Sequence, residues 1–105
     1  MTVARLTNAV VITASGEIDM TTAPELEDAV RKALAERPAT LVIDLTQAQF
    51  FSSAGIAVLV LAHRSSPAVE LRVVARDHVV LRPLELTGLT DDLAIHASIE
   101  SALAG

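Results

Sequence analysis

Apolar positions along the chain change their period several times, and each change marks an element. Val3 to Leu6 and Ala9 to Thr13 are short extended runs separated by Thr7-Asn8, a turn-forming pair, and together they predict a hairpin. Ser15-Gly16-Glu17-Ile18-Asp19 then supplies turn residues that end the second strand. From Thr22 the period lengthens: Leu26, Val30, Ala33 and Leu34 recur at i, i+4, i+7 and i+8 and form one stripe. Glu25, Glu27, Asp28, Arg31 and Lys32 lie largely off it. Thr22-Ala23-Pro24-Glu25 reads as a capping box with proline in the first turn, so an amphipathic helix is predicted from there to Arg37-Pro38.

Thr40-Leu41-Val42-Ile43-Asp44-Leu45 does not alternate, which suits an interior strand covered on both faces. After a polar connection, Ser52-Ser53 precedes a long apolar run that predicts a helix from Ala54 to Arg64. One of the two serines is its natural N-cap, and the other hydroxyl is left over. Two neighbouring stripes of this helix are apolar, Ile56, Leu59 and Val60 on one, Ala54, Ala57, Val58 and Leu61 on the other, which predicts burial between a sheet and a second helix. At its start the small residues Ala54, Gly55 and Ala57 beside Ser53 make a flat patch that admits another protein closely.

Ser65-Ser66-Pro67 breaks that helix and leads to a strand in Val69 to Ala75, with parallel pairing and a right-handed crossover expected. Asp77 caps a helical segment near Val79 to Leu86, where Pro83 predicts a kink or a split into two turns. Thr87-Gly88 ends it, and a last strand around Leu93 to His96 and a short helix from Ser98 follow. The predicted fold is α/β, a mixed sheet of four or five strands packed with about four helices.

Composition narrows the chemistry. The 105 residues are the size of one domain, 51% of them are apolar, and cysteine is absent, which removes disulfides and thiolate chemistry and fits a cytoplasmic protein. No leader-like segment opens the chain, and no apolar run reaches the about 20 residues that a bilayer requires, so no membrane insertion is expected. With 13 acidic against 8 basic residues, a net charge of −5 and two phenylalanines as the sole aromatics, direct nucleic-acid binding has neither a cationic surface nor a stacking platform. His63, His78 and His96 stand apart, with no metal-ligand spacing, and read as surface or helix-end residues. There is no phosphate-binding glycine loop and no nucleophile elbow, so neither a cofactor nor catalysis is expected.

The segment Phe50-Phe51-Ser52-Ser53-Ala54-Gly55-Ile56, after a buried strand ending near Asp44, resembles the STAS domain of bacterial anti-anti-sigma factors, whose signature is Asp-Ser-Ser/Thr-Gly-Leu opening a helix. Gly16-Glu17-Ile18-Asp19 with Thr22 and Pro24 resembles the family's Gly-Glu-Leu-Asp ahead of its first helix, and Leu84 to Leu89 its Leu-x-x-x-Gly-Leu stretch. The resemblance implies a single STAS domain over residues 1–105. Its partner would be an anti-sigma factor with serine kinase activity, which phosphorylates the residue corresponding to Ser53. Asp19, Ser52, Ser53, Ala54, Gly55 and Ala57 are the partner-binding residues it implies. Two departures stand out: Ser52 occupies the family's aspartate position, and Ala54 replaces its second hydroxyl residue.

Read by themselves, the residues leave choices open. Ser53 is either a plain cap or an acceptor whose phosphate the helix dipole and its unpaired N–H groups would tolerate. Ser52 is a second cap, a modified residue, or the mark of a constitutive binder. Three other function classes remain beside the antagonist: an accessory subunit of a transport ATPase system, a small-ligand sensor, which would need an apolar pocket that the sequence does not mark, and a small hydrolase built on Ser53.

Overall fold

The computed structural model describes residues 1–65 and 67–104; Ser66, central to the helix break expected at Ser65-Ser66-Pro67, lies outside the described residues. Five strands form one sheet in sequence order: β1 (Thr2–Arg5), β2 (Ala9–Ile18), β3 (Thr40–Phe51), β4 (Glu70–Val74) and β5 (Ala94–His96). The β1–β2 hairpin is antiparallel and every later pairing is parallel, with Ile12 opposite Ile43 and Ile43 opposite Val73. The helices are α1 (Ala23–Ala35), α2 (Ser53–Ser65), α3 (His78–Leu86) and α4 (Ile99–Ala104), with a 3-10 turn at Leu89–Asp91.

Parallel strands need crossover helices, and those helices cover the sheet faces. On one face Val10, Ile12, Leu41, Ile43, Leu45 and Val73 are buried with Leu26 and Val30 of α1, Val58 and Leu59 of α2, and Val80 and Leu84 of α3. On the other, Val11, Val42 and Val74 pack against Ala102 and Ile99 of α4. Burial on both faces is why Leu41 to Leu45 lacks alternation.

Both central strands run further than the sequence pattern predicts. Ser15 and Gly16 do not end β2. They are absorbed by two slips in the β2–β3 ladder, between Thr13 and Ser15 and between Gly16 and Glu17, with Gly16 at φ 77°. At each slip β3 carries one residue more than β2, so the polar stretch after Leu45 is strand as well. Along it Leu45, Ala48 and Phe51 are buried while Gln47, Gln49 and Phe50 are exposed.

Three local expectations are corrected. Thr22 does not close a capping box: its backbone is already helical and its hydroxyl makes no cap bond, because that hydroxyl serves the preceding loop. Pro83 does not split α3, which runs on through it; the one forfeited bond is to the carbonyl of Val79, which lies on the exposed side. In α2 the buried stripe is Gly55, Val58, Leu59 and Ala62, and Ala57 is exposed. The Asp77 cap holds, with its carboxylate accepting from the Val79 N–H at 3.0 Å.

Helix α4 is only six residues long, too short to hold by helix propensity. Buried Arg72 of β4 fixes it from below by donating to the carbonyl of Ala102, while its other terminal nitrogen reaches Glu70 at 2.8 Å. Replacing Arg72 by Leu orphans that carbonyl and should cost roughly 1–3 kcal/mol in urea unfolding. Glu70→Ala removes a carboxylate that is itself exposed and keeps the bond from Arg72 to Ala102, so it should cost less, under about 1 kcal/mol. Equal effects of the two substitutions would contradict this account of the clamp.

Candidate functional site

The site begins where β2 and β3 finish side by side. Ile18 lies opposite Phe51, and one residue on, the Ser52 N–H donates to the Ile18 carbonyl at 2.9 Å. This bond extends the pairing to the first residue before α2 and sets Asp19, the residue after Ile18, against the helix start. The two segments singled out in the sequence therefore meet in space.

Ser52 is the cap. Its hydroxyl accepts from the Ala54 N–H at 3.2 Å and its carbonyl accepts from the Ile56 N–H at 3.1 Å. Ser53 is the first helical residue, is exposed, and its hydroxyl has no hydrogen-bond partner among the described residues. The first turn of α2 holds no acidic side chain of its own to offset the positive end of the helix dipole. Ala54 is half-buried and Ala57 exposed, as a flat contact patch requires.

Gly55 departs from the expected surface role. It is buried, facing the sheet, and a Cβ at this position would lie 2.6 Å from Phe51 Cε1 and 3.0 Å from Ile18 Cγ2. The missing side chain lets α2 descend directly onto the Phe51 ring. Gly55 thus positions the helix start from beneath and offers a partner nothing to touch.

Asp19 is not a loosely solvated carboxylate. Its Oδ1 accepts from the backbone N–H groups of Thr21 at 2.9 Å and Thr22 at 3.2 Å. The Thr22 hydroxyl donates to the Glu17 carbonyl at 2.6 Å and accepts from the Asp19 N–H at 2.9 Å. The Asp19 carbonyl accepts from the Ala23 N–H at 2.8 Å, so the loop is wired to both β2 and α1. Bonds from Thr21 and then Thr22 hold the Asp19 carboxyl below the usual carboxylate range.

Two residues were missed by sequence reasoning. Met20, at the tip of the Asp19 loop, is 83% exposed, and Phe50, opposite Glu17 at the end of β3, is 51% exposed. Both stand at the end of the sheet where α2 begins, which makes them candidates for contact with a partner. A signal for Phe50 was present: two adjacent strand residues must point to opposite faces.

His63 and His78 are exposed at a helix end and a helix start, and His96 lies half-buried in β5 with Nδ1 2.9 Å from Ser101 Oγ. Among the described residues no cluster of three His, Asp or Glu side chains could hold a metal ion, and no helix is long and apolar enough to cross a membrane.

A helix-start hydroxyl in the open, a rigid acidic loop beside it and two exposed apolar side chains define a protein-binding module. The chain belongs to the STAS domain family, whose model matches residues 1–102. Over its whole length it is 36% identical to the anti-sigma-F factor antagonist RsfB of Mycobacterium tuberculosis, covering 87% of that protein. It is 37% identical to RsfA of the same organism, also an anti-sigma-F factor antagonist, over 92% of this chain and 79% of the relative. The crystal structure of an anti-sigma factor antagonist from Mycobacterium paratuberculosis matches with a TM-score of 0.93 at 36% identity, over 98% of this chain and 89% of that one. All three relatives are named as antagonists of anti-sigma factors.

Two outcomes are expected. Gly55→Ala should lower stability by about 1–3 kcal/mol in urea unfolding, because Phe51 and Ile18 must move to admit the methyl group; an unchanged midpoint would refute the close approach. Because the folded-state pKa of Asp19 is lowered, its contribution to stability is present above the unfolded-state value and is lost as pH falls through the folded one. In an NMR titration the Asp19 carboxyl should therefore titrate below an unperturbed aspartate, with the Thr21 and Thr22 amide signals shifting in step. Titration at the ordinary value would contradict the hydrogen bonding described.

Proposed function

We propose that this protein is an anti-sigma factor antagonist switched by phosphorylation of Ser53. It binds an anti-sigma factor that is also a serine kinase, and by occupying that partner it frees a sigma factor. The observation that carries the reading is the division of labour between the two serines. Ser52 satisfies the helix start, so Ser53 stands exposed with its hydroxyl uncommitted, next to the Asp19 loop. Relatives named as anti-sigma-F factor antagonists, aligned over 100% and 92% of the chain, support it.

The contact surface is formed by Asp19, Ser52, Ser53, Ala54 and Ala57, with Met20 and Phe50 as the apolar anchors that flank them. Gly55 contributes by holding the helix start in place. Ser52 occupies the family's aspartate position and caps α2 with its hydroxyl, so the helix start here is satisfied without a charge at that position.

Phosphate on Ser53 adds about −1.5 to −2 charge at a helix N-terminus, where the dipole favours it, so the domain itself stays folded. The penalty falls on the complex. A dianion within a closely packed interface must lose its water without gaining a partner cation, and every 1.4 kcal/mol of that cost weakens affinity about tenfold.

Incubation with the partner kinase and ATP should place one phosphate on Ser53, read by mass spectrometry, and none on Ser52 or in the Ser53→Ala variant. Ser53→Asp should bind the anti-sigma partner at least about tenfold more weakly than wild type in calorimetry. Equal affinities would remove the switch while leaving the antagonist, and no binding by wild type would remove both. Met20→Ala and Phe50→Ala should each weaken the complex by about 1–2 kcal/mol without lowering the thermal midpoint, since both side chains are exposed in the free protein.

A further inference from the structure

A second surface lies at the opposite end of α2 from Ser53. Between the last turns of α1 and α2 is a groove of about 520 Å³, within the range of small-molecule sites. Its floor is apolar, built from Val30, Leu34, Leu61 and Val69, and Arg31 and Arg37 stand in its lining. The backbone of Arg37 serves the end of α1, its N–H donating to the Leu34 carbonyl at 3.0 Å, but nothing in that role calls for an arginine side chain. Arg37 takes a left-handed φ of 52° at the position just past the end of α1, where glycine is the usual residue, and it does so ahead of Pro38, where extended backbone is preferred. A residue held against its preference points to something the side chain does.

The charges around it sharpen this. Glu36, its neighbour in sequence, is already held by Arg5 through contacts of 2.8 to 3.0 Å. Arg31 uses its Nε on Glu27 at 3.2 Å. Arg37 itself forms no ion pair among the described residues, in a chain whose net charge is −5. An acidic protein thus keeps an uncommitted guanidinium at the lip of an apolar recess, beside a second guanidinium with its two terminal nitrogens unused.

We propose that this groove binds a medium-chain fatty carboxylate free in solution, its alkyl chain on Val30, Leu34, Leu61 and Val69 and its carboxylate on Arg37, assisted by Arg31. The planar donor fork of arginine matches a carboxylate, and the floor offers the tail no polar competitor. The site is separate from the Ser53 surface and does not rest on the function proposed for it.

Decanoate below its micelle concentration is the probe, with decanol and acetate as comparisons, each titrated into the labelled protein and followed by NMR. Saturable shifts confined to Leu34, Leu61, Val69 and their neighbours are expected with decanoate, at least tenfold weaker binding with decanol, and none with acetate. Arg37→Gly should weaken decanoate binding at least tenfold while the thermal midpoint stays equal or rises, because glycine is at ease in the left-handed conformation. Absence of saturable shifts, shifts spread over other faces, decanol binding as tightly as decanoate, or full affinity in the glycine variant would each overturn the proposal. The decanol comparison uses the unaltered protein, so the role of the negative head group is tested whatever the variant does.

Discussion

Everything at the Ser53 surface depends on how closely α2 approaches the ends of β2 and β3. The helix rests on the Phe51 ring and Ile18 through Gly55, a contact with no room for a methyl group. The Ser52 N–H to Ile18 carbonyl bond ties the same two strands to the helix start. Packing and hydrogen bonding thus act on one point from two directions. The Ser53 backbone is held by regular structure on both sides, and the side chain alone is free to react or to be covered.

That arrangement separates holding from signalling. Buried groups, Gly55, Phe51 and Ile18, supply position, and Ser52 and Asp19 spend their polar atoms on the local backbone. What remains for a partner is a small set of exposed side chains on a frame that need not rearrange. Rigid presentation reduces the ordering cost of association, which suits a surface that binds another protein.

Much of this was readable before any coordinates, and the failures share a cause. Elements with a strong period or a dedicated end residue were legible: the stripe of α1, the double-sided burial of β3, the Asp77 cap. The positions of Asp19 and Ser53 were legible through family resemblance, and their proximity follows from the β2–β3 pairing. What stayed hidden depended on tertiary register. Ser15 and Gly16 carry turn chemistry locally, yet the ladder absorbs them as slips. Thr22 looks like a cap by spacing, but the Asp19 loop claims its hydroxyl. Gly55 looked like surface because a stretch of small residues says nothing about which way each faces.

The two slips in the β2–β3 ladder also bear on how such a chain can diverge. Each added residue in β3 reverses the facing of all that follow, and the pair together returns Phe51 to the interior and Phe50 to the outside. The strand therefore works as a counted gear. A lineage could lengthen the surface turn at Thr7-Asn8 with little consequence, whereas deleting a single residue between Leu45 and Phe50 would turn the aromatic pair over and present the wrong ring to the solvent. Descent with insertions and deletions should be confined to the turns, leaving the spacing from Asp44 to Ser53 invariant even where the residues between them drift.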